Sequence, residues 1–272
     1  GISYSVEDKV RIVEKLDALG VHYIEAGNPG SNPKDLEFFE RVRGMKLKHA
    51  KLIAFGATRK IGIKAEDDGN VRSILAAGTD AVAIFGKSWD YQVTEILRTQ
   101  LDENLRMIGD TVRHLKQQGK EVVYDAEHFF DGFKANPDYA LATLKAAAEA
   151  GADCLCLCDT NGGTFPDVIF DITKKVAAQF RTPIGIHCHN DCEMAVANSV
   201  MAVQAGATQV QGTINGIGER CGNANLCSII PDLQLKLGFA CIPPQNMATL
   251  TTVARAVSDI ANMPHNEKAA YV

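Results

Sequence analysis

The sequence lacks any apolar run of roughly 18 residues or more, so it predicts no membrane-spanning helix. It also lacks a tract of basic residues, and its formal net charge is −5. Both properties disfavour a nucleic-acid-binding surface, which needs clustered lysine and arginine. The residues from Gly1 to Ser5 have no basic start and no apolar stretch, so they do not form a signal peptide. We therefore expect a globular protein with neither nucleic acid nor membrane as a partner.

The cysteines do not indicate the disulfide framework of a small secreted protein. A chain of 272 residues can bury a large core without disulfides, and four of its eight cysteines lie in an apolar strand or beside histidine. Cys154, Cys156 and Cys158 alternate with leucine, whereas thiolate zinc sites use spacers of roughly two to four residues in turns. We interpret these three as small core residues, and the reduced thiols predict a cytoplasmic location.

Short apolar segments alternate with helical segments at a period of roughly 30 residues, which predicts parallel strands with helices outside them. The predicted strands are residues 21–25, 51–55, 80–85, 121–127, 153–158, 184–189 and 208–213. No Gly-rich phosphate loop follows the first strand, which disfavours a dinucleotide-binding sheet. The best fit is an α/β fold of the TIM (β/α)8 barrel type.

Only seven strands are predicted, and a closed barrel of this type needs eight. Because the chain also begins on a helix cap, we expect the first barrel strand to lie upstream of Gly1. The alternatives are an open sheet or a barrel that is completed by other means. On this interpretation residues 1–240 form the barrel core with strands two to eight, and residues 241–272 add a C-terminal helix.

Helix boundaries follow from capping residues and apolar spacing. Ser5 with Asp8 three residues later predicts the start of the first helix, and Gly20 predicts its end. An apolar seam predicts one continuous helix over residues 89–116. Further helices are predicted over residues 34–43, 66–77, 137–150, 165–180, 192–205, 226–237 and 245–262.

Two histidines at the end of the sixth predicted strand are the strongest indication of chemistry. His187 and His189 are two residues apart, so their side chains share one face while Cys188 points away. Two neutral imidazoles can supply half of a Zn, Mn or Fe(II) site. In a parallel barrel the carboxyl ends of the strands carry the chemistry. The alternative is one partly buried histidine with one structural partner.

Polar side chains also follow the other predicted strands. These exits carry Glu25, Asn28, Thr58, Arg59, Lys60, Lys87, Ser88, Asp125, Glu127, Asp159, Thr160, Asn215, Glu219 and Asn223. The turns from helix to strand at the opposite end are mostly Ala and Gly, without reactive groups. The polar exits therefore predict a functional face at one end of the barrel.

Three of these exit residues are candidates for specific roles. Glu127 follows an apolar strand, which suits a general acid or base with a raised pKa, or else it pairs with Arg or Lys at the rim. Thr160 could bind a substrate carboxylate, and the alternative is a local turn contact. Asn223 could supply a third metal ligand, and the alternative is a helix N-cap.

Residues 187–191 (HCHND) and 215–223 (NGIGERCGN) together resemble the signature of the isopropylmalate, homocitrate and citramalate synthases, which form one barrel family with the HMG-CoA lyases. The resemblance covers nearly the whole chain and includes residues 24–29, 55–59 and 159–163. Within the family, residues 85–89 and 124–133 are most similar to the citramalate synthases.

The resemblance implies a metal-dependent acyltransferase that condenses acetyl-CoA with pyruvate to give citramalate and CoA. The alternatives are action on 2-oxoisovalerate, as in isopropylmalate synthases, and a non-catalytic barrel that binds a metal or an oxo acid. The resemblance also implies a homodimer. The family's first strand ends in an Arg-Asp pair, and its synthases continue into a regulatory region. Both lie outside this sequence, so residues 241–272 would begin the linker to that region.

Carried over by position, the resemblance assigns a role to each candidate residue. It implies that a divalent Mn, Mg or Zn ion is bound by His187, His189 and, more weakly, Asn223. It implies that Glu127 is the catalytic carboxylate. It places a contact to the substrate carboxylate at Thr160. We add Asp125 and Glu25, which also lie at strand exits, as candidate substrate-binding residues.

Overall fold

The computed structural model describes residues 2–272. Seven strands, numbered β1 to β7 in chain order, form one parallel sheet in which each strand pairs with the next. They span Tyr23–Gly27, Lys51–Ala57, Ala81–Lys87, Glu121–Glu127, Cys154–Asp159, Ile184–Cys188 and Gln209–Gln211. In this part of the chain the α-helices, numbered α1 to α10, span Val6–Leu19, Pro33–Arg41, Gly69–Ala76, Leu101–Gln117, Phe129–Ala135, Pro137–Glu149, Pro166–Gln179, Ala195–Gln204, Leu226–Pro231 and Leu250–Ile260. None of these described helices is long and apolar enough to cross a membrane.

Both faces of the sheet are buried, as expected for parallel strands covered by helices. On β4, Val122 and Tyr124 pack outward with the helices, whereas Val123 packs inward with Cys156 of β5. The sheet is curled and carries its helices outside, so the predicted TIM-barrel-like α/β fold is confirmed. The outer edges of β1 and β7 have no strand partner within residues 2–272.

The three alternating cysteines of β5 lie in the inner core, as predicted. Cys154, Cys156 and Cys158 are 5%, 0% and 6% exposed, and they pack with Ile53 and Ala83. Burial raises the pKa of Cys154 to about 12 and raises the pKa of the other two thiols as well, although the Cys156 contact opposes this at Cys158. The three thiols are therefore neutral at pH 7 and serve as small core side chains.

The prediction of one continuous helix over residues 89–116 is wrong. Gln92–Ile96 forms a π-helical turn, and α4 begins only after a break. Within the break Arg98 has a left-handed φ of 56°, and the N–H of Thr99 donates to the carbonyl of Val93 at 3.1 Å. This hydrogen bond joins two residues that are six apart in sequence and encloses a left-handed residue. Such an arrangement ends a helix, and here it ends the π-helical turn. The apolar spacing continues across the break, so periodicity alone did not reveal it.

Other helix predictions also differ in detail. Helix α5 was not predicted, and it follows β4 after His128, whose φ of 54° is left-handed. The predicted helix over residues 226–237 consists of α9 and a π-helical turn, Asp232–Lys236. The additional C-terminal helix is confirmed as α10, which a 3-10 turn precedes at Pro244–Thr249.

Helix α10 packs on α1 and so belongs to the outer layer. Leu250, Val253 and Val257 form one apolar cluster with Leu19 at the end of α1. The side-chain amide of Asn246 donates to the carbonyl of Leu19 at 3.1 Å. The capping box at Ser5, which opens α1, is present as predicted.

Asp17, near the end of α1, holds the loop that precedes β2. Its carboxylate accepts hydrogen bonds from the backbone N–H groups of Lys48, His49 and Ala50, each at 2.8 Å. Burial alone would raise the pKa of Asp17, but the three N–H donors outweigh burial and hold the pKa below its ordinary value of 3.8. The ionised carboxylate therefore stabilises the folded chain.

Replacing Asp17 by alanine is expected to lower the free energy of unfolding by about 2–4 kcal/mol, because three N–H groups lose their acceptor and water replaces it only in part. The lowered pKa makes this contribution complete above pH 3.8, and it is lost as the pH falls through the lower pKa of the folded state. Urea unfolding at several pH values measures the difference, with the exposed Glu14→Ala on the same helix as control. Equal destabilisation by both changes, or a difference that grows in acid, would contradict the prediction.

Candidate functional site

The inner face of the sheet is apolar at one end and polar at the other. Alternation along β4 places Asp125 and Glu127 on the same face as the inward Val123. His187 of β6 pairs in register with Gln211 of β7 on that face. The inward polar residues lie at the carboxyl ends of the strands, so they share one mouth of the barrel.

The predicted histidine pair is formed. The ring centroids of His187 and His189 lie 5.2 Å apart with an interplanar angle of 44°, so the two imidazoles stand side by side. Both rings are half-buried, while Cys188 between them points into the outer core. Asp159 of β5 fixes the end of β6, because its carbonyl accepts the N–H of His189 at 3.2 Å.

The loop after β7 brings Asn223 to this pair. Asn223 forms an antiparallel bridge with His189, and the N–H of Asn190 donates to the carbonyl of Gly222 at 2.9 Å. A Cβ at Gly222 would lie 2.3 Å from the carbonyl oxygen of Gly216, so this close loop needs glycine there. The loop thus places Asn223 opposite His189 at the end of β6.

The alternative interpretation of Asn223 as a helix cap is wrong. Helix α9 is capped by Asn225, whose side chain accepts the N–H of Cys227 at 3.0 Å. The Asn223 amide instead donates through Nδ2 to the carbonyl of Ile217 at 3.2 Å. That contact leaves the Oδ1 atom of Asn223 for another partner.

The residues present fit a divalent metal. His189 Nδ1 and Asn223 Oδ1 are buried and have no hydrogen-bond partner within residues 2–272. Such groups are rare without a ligand, because burying them unpaired is costly. Burial and then the neighbouring His187 lower the pKa of His189 to about 4, so its imidazole is neutral at pH 7, as metal binding requires. Two imidazoles and an amide oxygen suit a divalent ion such as Zn, Mn or Mg.

Glu127 lies in a polar environment, so the expectation of apolar surroundings is wrong. Its Oε2 atom is 2.9 Å from Nζ of Lys87, and the two residues pair directly across β3 and β4. The side chain of Asn104 donates to the carbonyl of Lys87 at 2.9 Å and holds that strand end. The alternative of a glutamate paired with lysine at the rim is the observed one. Oε1 of Glu127 takes no part in the pair.

Thr160 contacts the neighbouring strand exit and not its own turn. Its Oγ1 accepts the backbone N–H of His128 at 2.8 Å, directly beyond β4. A hydroxyl that accepts one hydrogen bond still has its own proton to donate. Thr160 can therefore donate to an acceptor in the mouth of the barrel.

Arg220 connects the loops that follow β5, β6 and β7. Its Nε and Nη2 atoms lie 2.7 and 2.9 Å from the carboxylate of Asp191, and Nη2 also donates to the carbonyl of Thr160 at 2.8 Å. The Arg220 hydrogen bonds hold the pKa of Asp191 below its ordinary value. Gly162 allows this approach, since it has a φ of 65° and a Cβ there would lie 2.5 Å from Oδ1 of Asp191. The Arg220 contacts therefore hold these three loops together around the histidine pair.

Glu25 and Asp125 form an acidic pair near the histidines. Glu25 is exposed at the free edge of β1, whereas Asp125 is 5% exposed. Removal of water on its inner side and the nearby Asp125 carboxylate raise the pKa of Glu25 to about 8. Burial likewise raises the pKa of Asp125, which lies with the thiols of Cys156 and Cys158 in a group whose ligand atoms are within 4.8 Å of one another.

Arg59 and Ser88, two of the polar residues that follow the predicted strands, point away from the site. The guanidinium of Arg59 lies 2.8 Å from Glu103 and 3.0 Å from Asp110, both on α4. Ser88 is fully buried, and its hydroxyl accepts from Thr143 at 3.1 Å. These two residues connect the barrel to its helices.

The sequence model of the HMGL-like family matches residues 1–257. This chain belongs to the HMGL-like family. An HMGL-like relative, the (R)-citramalate synthase of Aquifex aeolicus, is 59% identical over the whole of this chain and 52% of its own length. Four further (R)-citramalate synthases are 46–54% identical over the whole chain. The probable 2-isopropylmalate synthase of Methanopyrus kandleri is 36% identical over 86% of this chain and 44% of its own length.

The chain spans about half the length of the curated relatives it matches. Among solved structures, hydroxymethylglutaryl-CoA lyase from Pseudomonas aeruginosa has a TM-score of 0.79 and 18% identity, covering 98% of this chain and 89% of its own. At that identity the similarity shows the HMGL-like fold alone.

One residue of the site was missed by the sequence analysis. Gln211 contacts both His187 and Asp125. The signal was available in the pattern of β7, because Gln209 and Gln211 flank Val210 and so place two amides on one face of a short strand. In a strand of a buried barrel, paired polar side chains on one face indicate a polar interior at that level.

Proposed function

We propose that the protein containing this chain is a citramalate synthase, an acyltransferase that condenses acetyl-CoA with pyruvate in amino-acid biosynthesis. The observation that carries this proposal is the similarity over the whole chain to citramalate synthases, which exceeds the similarity to isopropylmalate synthases. The geometry supports it, since metal-binding, proton-accepting and carboxylate-binding groups meet at one barrel mouth.

The metal ligands in this proposal are His187, His189 and Asn223. A divalent Mn, Mg or Zn ion bound there supplies Lewis acidity to the keto carbonyl of the oxo acid. The neutral imidazole of His189 meets the requirement for an unprotonated ligand, and the unpartnered Oδ1 of Asn223 supplies an oxygen.

The remaining chemistry is assigned to side chains of the chain itself. The hydroxyl group of Thr160 donates a hydrogen bond to the carboxylate of pyruvate. Its proton is available for this because the hydroxyl oxygen already accepts the N–H of His128. Glu127 accepts a proton from the methyl group of acetyl-CoA through the oxygen that is not paired with Lys87. The methyl carbon then bonds to the keto carbon of pyruvate, and the keto oxygen takes up a proton. Water cleaves the thioester to release citramalate and CoA.

Glu25 and Asp125 form the acidic wall of the substrate site in this proposal. The raised pKa of Glu25 favours the protonated form of its carboxyl group relative to an ordinary glutamate. A protonated carboxyl can donate a hydrogen bond to a substrate oxygen, which an ionised one cannot. The buried Asp125 supports this state, because two adjacent carboxyls do not both ionise readily.

The proposal extends to the arrangement of the whole protein. The free edges of β1 and β7 are suited to an eighth strand that would close the barrel. We assign residues 241–272 to the connection towards a regulatory region, and we assign the protein to the cytoplasm as a homodimer.

A panel of oxo acids tests the function in the full-length protein. CoA release from acetyl-CoA is measured with a thiol reagent in the presence of pyruvate or 2-oxoisovalerate. We expect kcat/KM to be higher for pyruvate by about 10–200-fold, the range by which a pocket discriminates small apolar groups. Preference for 2-oxoisovalerate would indicate an isopropylmalate synthase. Metal binding without CoA release for any oxo acid would indicate a non-catalytic barrel.

A further inference from the structure

Gln211 bridges two side chains of the site from the last strand of the sheet. It pairs in register with His187 across β6 and β7. Its Oε1 atom lies 2.8 Å from Nδ1 of His187, and its Nε2 atom donates to Oδ1 of Asp125 at 3.0 Å. All three side chains are at least half-buried, so water competes weakly for these contacts.

We propose that Gln211 is a positioning residue that fixes the tautomer of His187, with the proton on Nδ1 and the lone pair of Nε2 available to a metal. This inference rests on the proposed metal site. The histidine nitrogen that faces an amide oxygen must be the donor, because that oxygen carries no hydrogen. The other nitrogen of the neutral ring is then unprotonated, as a ligand must be.

The amide of Gln211 is itself held in the required orientation. If the amide were flipped, its oxygen would lie against the Asp125 carboxylate and its NH2 group against His187. The observed orientation instead sends one N–H to an acceptor and presents the oxygen to the imidazole. Asp125 therefore acts on His187 through Gln211.

Nothing else around His187 assigns the proton. Its neighbour His189 presents a ring at 5.2 Å between centroids, which fixes no hydrogen position. In the described chain the only hydrogen-bond partner of the His187 ring is Gln211. Without that amide oxygen a half-hydrated imidazole can carry its proton on either nitrogen, and the fraction with Nε2 protonated cannot bind a metal through that atom.

Two substitutions separate the role of the oxygen from the role of the side-chain volume. Gln211→Met removes the acceptor and keeps a similar length, so we expect both tautomers of His187 to appear. Gln211→Glu keeps an acceptor oxygen, so the Nδ1-protonated tautomer should persist. Gln179→Met is the control, since it makes the same exchange at the exposed end of α7, whereas Gln209 is unsuitable because its Oε1 accepts from Nε2 of Gln211 at 3.4 Å.

The first readout is the tautomer in the metal-free, full-length protein. Solid-state 15N NMR of histidine-labelled protein distinguishes protonated from unprotonated ring nitrogens, and His187→Gln identifies the signal. A structural role alone would change the melting temperature without changing the tautomer. If Gln211→Met leaves His187 fully protonated on Nδ1, or the wild type carries the proton on Nε2, the proposal is overturned.

The second readout is the Kd for Mn²⁺ alone, measured by calorimetry. We expect Gln211→Met to weaken binding by about 10–100-fold, the usual effect of removing a partner of a metal-ligating histidine. Gln179→Met should bind like the wild type. A wild type that binds no Mn²⁺, Mg²⁺ or Zn²⁺ would overturn the metal site and the proposed function, and the NMR result would still decide the role of Gln211. Equal Kd values for Gln211→Met and the wild type would overturn the role of Gln211 while leaving the proposed function in place.

Discussion

Alanine in place of His187 is expected to remove bound metal and condensation activity together. His189 and Asn223 would then supply only one imidazole and one amide oxygen, which is too few strong ligands for a tightly held ion. Losing a Lewis acid costs several kcal/mol of transition-state stabilisation, which corresponds to roughly 10³-fold or more in turnover. Elemental analysis of the gel-filtered full-length protein measures the metal, and CoA release with acetyl-CoA and pyruvate measures the activity.

The matched control for this change is His22→Ala. His22 is exposed and precedes β1, so it lies at the opposite end of the sheet from the histidine pair. The control should keep both metal and activity. Retention of a full equivalent of metal by His187→Ala would exclude His187 as a ligand, and loss of metal in His22→Ala would place the site elsewhere.

Rules that depend only on neighbouring residues were sufficient to predict the shared face of the histidine pair and the start of the first helix. A strand has a period of two, so the spacing of His187 and His189 alone required a common face. The pair Ser5 and Asp8 satisfies each other's hydrogen bonds within one turn, so no distant residue was needed to form that cap. Features set by neighbours in sequence could therefore be predicted from the sequence.

Features set by contacts between distant residues could not be predicted from the sequence. Arg98 adopts a left-handed conformation that its own residue type does not favour, so the break before α4 left no mark on the apolar pattern. Asn223 reaches His189 through a loop of backbone hydrogen bonds, and its position after the last strand did not decide between a metal ligand and a helix cap. The alternation along β7 places Gln209 and Gln211 on one face, but only the register between β6 and β7 sets Gln211 beside His187.

The surroundings of Glu127 could not be predicted from the sequence either, and they matter for the proposed catalytic role of this residue. Its sequence neighbours are apolar, but the register of β3 and β4 places Lys87 opposite it. The ion pair uses Oε2 and keeps the carboxylate at the barrel mouth, where Oε1 is available for a proton. Under the proposed function, Glu127 would therefore be a base that Lys87 positions, and not an acid buried among apolar groups.

Glutamine in place of Glu127 is expected to lower turnover by about 10²–10⁴-fold while the metal content stays unchanged. Glutamine has the same shape and its oxygen can still accept from Lys87, but it cannot take up the methyl proton of acetyl-CoA. Glu121→Gln is the matched control, because Glu121 begins the same strand and pairs with Lys51 at the opposite end. Unchanged turnover in Glu127→Gln would exclude Glu127 as the base. Loss of metal in that variant would instead place its carboxylate in the ligand set, since Lys87 and the fold would be unaltered by so small a change.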